Sequence, residues 1–213
     1  MVTATRLNGR MFNKKKNGGN NLRFCSIFIS LFMVLVFFSA CSAESSLELV
    51  DANVDIVKDK NLLGSIGITQ GERKGEEMVP TALFYEFTIK NTGHKTVGIP
   101  GIDKGIELKI EPKEELKLAS EDVIGFNIYN PDDYYDSGVG FGQSFVSVLK
   151  SDQKGQYILN YDLGVSEENS QVPLLVPSKE KLDELKKHSF NAFLIVIIDN
   201  QEIERFDLEE FKD

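Results

Sequence analysis

Beyond Cys41 the sequence contains no cysteine, and before Glu44 it contains no acidic residue. Its two cysteines, Cys25 and Cys41, both lie near the N-terminus. The rest of the chain therefore has no internal disulfide, no Cys-x-x-Cys pair and no thiol nucleophile. The two histidines, His94 and His188, are far apart in sequence and have no neighbouring cysteine or histidine, which argues against a zinc or copper site. No Gly-x-Ser-x-Gly elbow occurs, so the usual hydrolase nucleophile is missing. No carboxylate pair stands out either, and the chain reads as non-catalytic and without a cofactor. Long apolar runs are also scarce. The stretch from Ile27 to Phe38 is 12 residues, broken only by Ser30, and as a helix it spans roughly 18 Å against the roughly 30 Å of a bilayer core.

What the N-terminus does contain is positive charge. Arg6, Arg10, Lys14, Lys15, Lys16 and Arg23 account for six of the 24 basic residues, leaving 18 against 33 acidic residues beyond them, a net charge of −15. A surface of that sign repels nucleic acid and anionic head groups, both of which need clustered Lys and Arg. It is compatible with a solvated domain that the charge keeps soluble, with cationic partners, or with divalent cations.

The basic flank, the short apolar stretch and the sequence Phe38-Ser39-Ala40-Cys41 together resemble the signal peptide and lipobox of a bacterial lipoprotein. Residues 1–40 are then expected to be a removed export signal. Cys41 would be the lipidated first residue of the mature protein, and 41–46 a short polar tether. The resemblance implies a diacylglyceryl thioether on Cys41 that holds the chain to the outer face of the cell membrane. Counted from Phe24 to Ala40 the stretch reaches 17 residues, the lower limit of a span, so an uncleaved signal anchor is the alternative. Both readings place the remainder on the extracytoplasmic side. Met11 opens a shorter sequence that also looks like a signal start.

Residues 47–213 are enough for one domain that buries roughly 70% of its unfolded surface. Their dominant pattern has period 2. From Leu83 to Lys90 the residues Leu83, Tyr85, Phe87 and Ile89 share one face while Glu86, Thr88 and Lys90 share the other, the mark of a half-buried strand. Further strands are expected at 95–99, 106–111, 116–118, 123–129, 144–149 and 156–163. Ser178 is placed to cap a helix from Lys179 to Lys187. The apolar run Phe193 to Ile198 reads as a central strand, Asp199-Asn200 as a tight turn, and Glu202 to Leu208 as its partner strand.

The sequence Phe87-Thr88-Ile89-Lys90-Asn91-Thr92-Gly93, together with the strand, helix, strand, turn and strand that end the chain, resembles immunoglobulin-like domains of extracytoplasmic bacterial lipoproteins. The expected fold is therefore all-β, an antiparallel immunoglobulin-like β-sandwich with one short crossover helix.

One segment carries a candidate binding loop. Asn130 to Gly138 crowds Asp132, Asp133, Tyr134, Tyr135 and Asp136 together. Its spacing is not that of an EF-hand, while tyrosines suit contact with a protein or a glycan. The leading expectation is a module that binds a membrane or cell-wall protein. The alternatives are a calcium or small-ligand sensor using this loop, and a protease-inhibitor-like domain. The glycines of Gly138-Val139-Gly140-Phe141-Gly142 lack a following helix and read as a flexible loop or the lead-in to a bulged strand.

Overall fold

The structure, a computed structural model, describes residues 46–99, 105–144 and 146–212. Cys41 and the expected signal segment lie outside the described residues. The fold grows from β4, Thr81–Asn91, whose inward residues Leu83, Tyr85, Phe87 and Ile89 are all at most 2% exposed. It lies between β1, Leu47–Val57, and β7, Lys154–Gly164, both antiparallel to it. A short strand, β6 (Phe141–Ser144), completes a sheet of order β1-β4-β7-β6.

A second antiparallel sheet has the order β5-β8-β9, built from Glu107–Pro112, Ala192–Ile198 and Gln201–Asp207. The apolar run expected as a central strand is central here. Asp199 and Asn200, at φ 49° and 61°, make the left-handed two-residue turn that suits a right-twisted hairpin. A small ribbon of β2 (Ile66–Gly67) and β3 (Glu77–Met78) and a one-turn helix α1 (Lys60–Leu63) fill the connection from β1 to β4.

One apolar cluster draws on both large sheets. It joins Leu83 and Phe87 of β4 and Leu159 and Leu163 of β7 to Leu108 and Ile110 of β5 and Leu194 and Val196 of β8. Each such side chain contributes about 1.5–3 kcal/mol on burial, and in a domain without disulfides that burial must hold the sheets together. Two hydroxyls cross the core: Tyr85 donates to the Ser189 carbonyl at 3.1 Å and lies 2.7 Å from the Tyr129 hydroxyl. With its own proton committed to Ser189, Tyr85 accepts from Tyr129. Burial pushes both phenols well above their ordinary pKa, so they stay neutral hydrogen-bonding groups.

Several expected elements differ. The segments 116–118 and 123–129 are not strands; Glu114–Ile124 is a helix, α2. Its buried positions Leu116, Ser120, Val123 and Ile124 follow the i, i+4, i+7, i+8 spacing of a helix face, which short windows read at period 2 conceal. Gly125, at φ 98°, ends it in the left-handed conformation. The Ser120 hydroxyl, donating to Phe126 O and accepting from Ile128 N at 2.9 Å each, ties down the chain that follows. The fold thus has a second substantial helix besides the crossover helix α3 (Lys179–His188), which Ser178 caps.

Residues 95–99 form only a bridge, Val97 to Leu149. The strand expected at 144–149 instead begins at Phe141 and ends at Ser144, so the glycines before it lead into β6. Strand β1 has no counterpart among the expected elements, and the reason is a register shift between Leu49 and Asp51. Leu47 and Leu49 face inward before it, and Ala52, Val54 and Ile56 after it. The inward set changes from odd to even positions, which erases the alternation that a fixed period would detect.

Candidate functional site

The segment from Asn130 to Ser144 is built from the inside outward. Asn130 accepts the Asp132 N–H at 3.4 Å and donates to the Asp133 carboxylate at 2.6 Å, turning the chain into a 3-10 turn, Pro131–Tyr134. Tyr134 points inward and is 7% exposed. Its ring meets Phe126 at 5.1 Å and Phe141 at 5.9 Å, and its hydroxyl donates to Asp162 O at 3.2 Å. Ser137, also buried, donates to the Tyr134 carbonyl at 2.8 Å and accepts from Val139 N at 3.3 Å.

These bonds sort the expected site residues into two groups. Tyr134 is a structural anchor and offers no contact surface, because its ring fills the space under the loop. Asp133 is half-buried and held by Asn130. Asp132 and Asp136 are exposed, Asp136 in the left-handed conformation at φ 67°. Tyr135 stands out at 84% exposure.

Phe141, not among the expected site residues, is 52% exposed at the mouth of a cleft of about 130 Å³ lined by Leu108, Ile128, Tyr129, Leu159 and Tyr161. In the sequence Phe141 stands only as an aromatic between two glycines, a pattern that does not by itself show whether the ring is exposed. Among the described residues no three Asp, Glu, His or Cys side chains gather as metal ligands. The loop's carboxylates are spread along the turn. His188 lies between two carboxylates, 3.0 Å from Glu184 and 3.9 Å from Glu115, while His94 is exposed on the turn after β4.

Asp162 anchors the far side of the loop. Its carboxylate accepts Gly140 N–H at 3.2 Å and the Asn160 amide at 3.4 Å, and burial raises its pKa above the ordinary carboxylate value. Relative to the unfolded chain, the fold therefore favours the protonated form. Asp162 contributes stability fully below its unfolded pKa, roughly 3.9, and loses that contribution as pH rises through the raised folded value. At neutral pH its buried charge is unfavourable. Asp162→Asn keeps an acceptor for Gly140 N–H without the charge, so its melting temperature at pH 7 should exceed that of the wild type, and the gap should close as the pH approaches 4. Thermal melts of both proteins across that range measure the difference. A variant that melts lower at pH 7 would mean that the charge itself holds the loop.

Comparison of the chain with protein-family models, with curated proteins and with solved structures finds no match in any of the three. No helix among the described residues is long and apolar enough to cross a membrane.

Proposed function

We propose that the chain is a lipid-anchored extracytoplasmic module of immunoglobulin constant-type topology, which binds a protein or cell-wall partner without catalysis. Strand order supports the topology. Taking β1, β4, β5, β6, β7, β8 and β9 as strands A to G, the order β1-β4-β7-β6 reads A-B-E-D and β5-β8-β9 reads C-F-G, the arrangement of the seven-stranded constant domain. The basic, apolar and Ser39-Ala40-Cys41 sequence supports the anchor.

The observation that carries the binding reading is Tyr135. A buried tyrosine, a buried serine and an asparagine cap fix the turn beneath it, yet the ring itself is 84% exposed. A large amphipathic ring with only two side-chain torsions, carried on a backbone turn that is already fixed, loses little entropy when a partner covers it, which is the property of an interface anchor. The test is crosslinking in cells followed by recovery of the tagged full chain from membranes. A discrete partner should be recovered with the wild type, and at least about tenfold less with Tyr135→Ala, the size expected of a hot-spot truncation. Leu62→Ala, which removes a side chain of 54% exposure on α1, should leave recovery unchanged. Equal recovery with Tyr135→Ala would remove the loop from the interface.

A further inference from the structure

The two large sheets have four edges, and three carry features that discourage pairing with another chain. Strand β1 has exposed Glu48, Asp51 and Asp55 and a register shift. Strand β5 exposes Lys109 and Glu111 and ends in Pro112. Strand β9 carries Glu202, Glu204 and Arg205 and a register shift that leaves its Ile203 without an opposite residue in β8. Charges, proline and irregularity are the usual protection of a sheet edge.

Strand β6, Phe141-Gly142-Gln143-Ser144, has none of these. It contains no charge and no proline. The Gly140 carbonyl accepts Asp162 N–H at 2.9 Å, which makes that pair a hydrogen-bonded one. By alternation Gly142 opposite Asn160 and Ser144 opposite Ile158 are bonded too. The N–H and C=O groups of Phe141 and Gln143 therefore point away from β7. Among the described residues no strand pairs with them.

The surroundings add side-chain specificity. Phe141 lies opposite Tyr161 on the inner side of the sheet and half covers the apolar cleft, so a strand added beside β6 would place alternate side chains over that cleft. Pro131, on the cleft wall, leads directly into exposed Asp132 and the acidic loop, on a chain that carries −15 beyond its signal segment. Among the described residues, Lys109 is the single cation on the cleft lining. A second copy is a poor occupant, because pairing β6 with β6 about a two-fold axis brings two acidic loops together.

We propose that β6 is a docking edge for an extended, lysine- or arginine-bearing segment of another protein, which joins the sheet as a fifth strand and sets an apolar side chain on the cleft. This rests on the binding-module reading and names the chemistry of its partner. The probe is a fluorescein-labelled decapeptide of alternating lysine and valine, titrated by fluorescence anisotropy against the full chain in detergent micelles. Binding should weaken at least about tenfold when alternate peptide nitrogens are methylated, because methylation deletes the donors that face the edge. Gln143→Pro, which deletes an outward N–H at a position proline tolerates on an edge, should weaken it by a similar factor. Gln143→Lys keeps the N–H and adds repulsion, and should weaken the lysine peptide while sparing one that alternates glutamate and valine.

Absence of binding up to about 1 mM, a weak-encounter limit, would overturn the proposal. So would indifference to backbone methylation and to Gln143→Pro, or equal binding of the glutamate peptide by the wild type. Partner recovery that still depends on Tyr135 while the peptide fails to bind would leave the module reading standing and remove only the edge. Peptide binding with no Tyr135-dependent recovery would do the reverse.

Discussion

Gly138→Ala should lower the stability of the domain by about 2–5 kcal/mol, whereas Gly140→Ala, two residues on, should change it by no more than about 0.5–1 kcal/mol and in the favourable direction. Gly138 sits at φ 75°, and a Cβ there would lie 2.1 Å from Gln171 O and 2.6 Å from Val172 Cα. The left-handed conformation alone costs an ordinary residue about 1–2 kcal/mol, and forcing backbone aside adds about 1–3 kcal/mol. Neither contribution applies at Gly140, where a Cβ meets nothing within 4 Å and loses the entropy penalty of glycine in an extended segment.

The damage at Gly138 should spread along a defined route. Gln171 accepts the N–H groups of Thr69 and Gln70 at 2.7 and 3.1 Å through its side chain, and Val172 belongs to a small second core with Ile68, Met78 and Val165. Displacing the 169–172 turn therefore loosens the β2–β3 ribbon. Urea denaturation measures the first effect, and amide exchange at Thr69 and Gln70 measures the second. Equal midpoints for the two alanine variants would show that the loop's close approach to Gln171 is not part of the folded state.

How much of this could be read beforehand depended on whether a segment keeps one period. Strands β4 and β7, the capped helix α3 and the β8–β9 hairpin each hold a constant alternation or an unambiguous turn pair, and all four stand where the sequence puts them. Strand β1 changes phase at its register shift, so neither half is long enough to register. In α2 the helical positions Leu116, Ser120 and Val123 include a serine whose burial is justified only by its bonds to Phe126 and Ile128, bonds that exist only after folding. The loop shows the same limit. Composition marked Tyr134 and Tyr135 equally, but only the partners Phe126, Phe141 and Asp162 decide that Tyr134 turns inward and Tyr135 outward. Phe141 is a contact residue because β6 ends its sheet, which no local pattern encodes.

Cys41→Ala should abolish incorporation of an alkyne-tagged palmitate into the protein, and Cys25→Ala should not affect it. Under the proposed anchor, Cys41 carries at least two acyl chains, each buried methylene contributing about 0.8 kcal/mol, and the sum places wild-type protein firmly on the membrane. The remainder of the chain gives no substitute, since 18 basic against 33 acidic residues gain nothing from anionic head groups. Retained label in Cys41→Ala, or no label in the wild type, would overturn the lipidation. Firm membrane retention without label would point instead to the uncleaved apolar stretch.

The proposed anchor would also bear on orientation. Ser46 is five residues from Cys41, at most about 18 Å of extended chain, so under the proposed lipidation β1 would start near the bilayer. Phe141 lies in the row Phe141, Tyr161, Leu83, Ile56, which is nine residues up β1 from Leu47 and about 30 Å away at about 3.3 Å per residue. Under that anchor the sheet would carry the Phe141 end of the open β6 edge away from the membrane, where a partner in the surrounding space would reach it without displacing lipid.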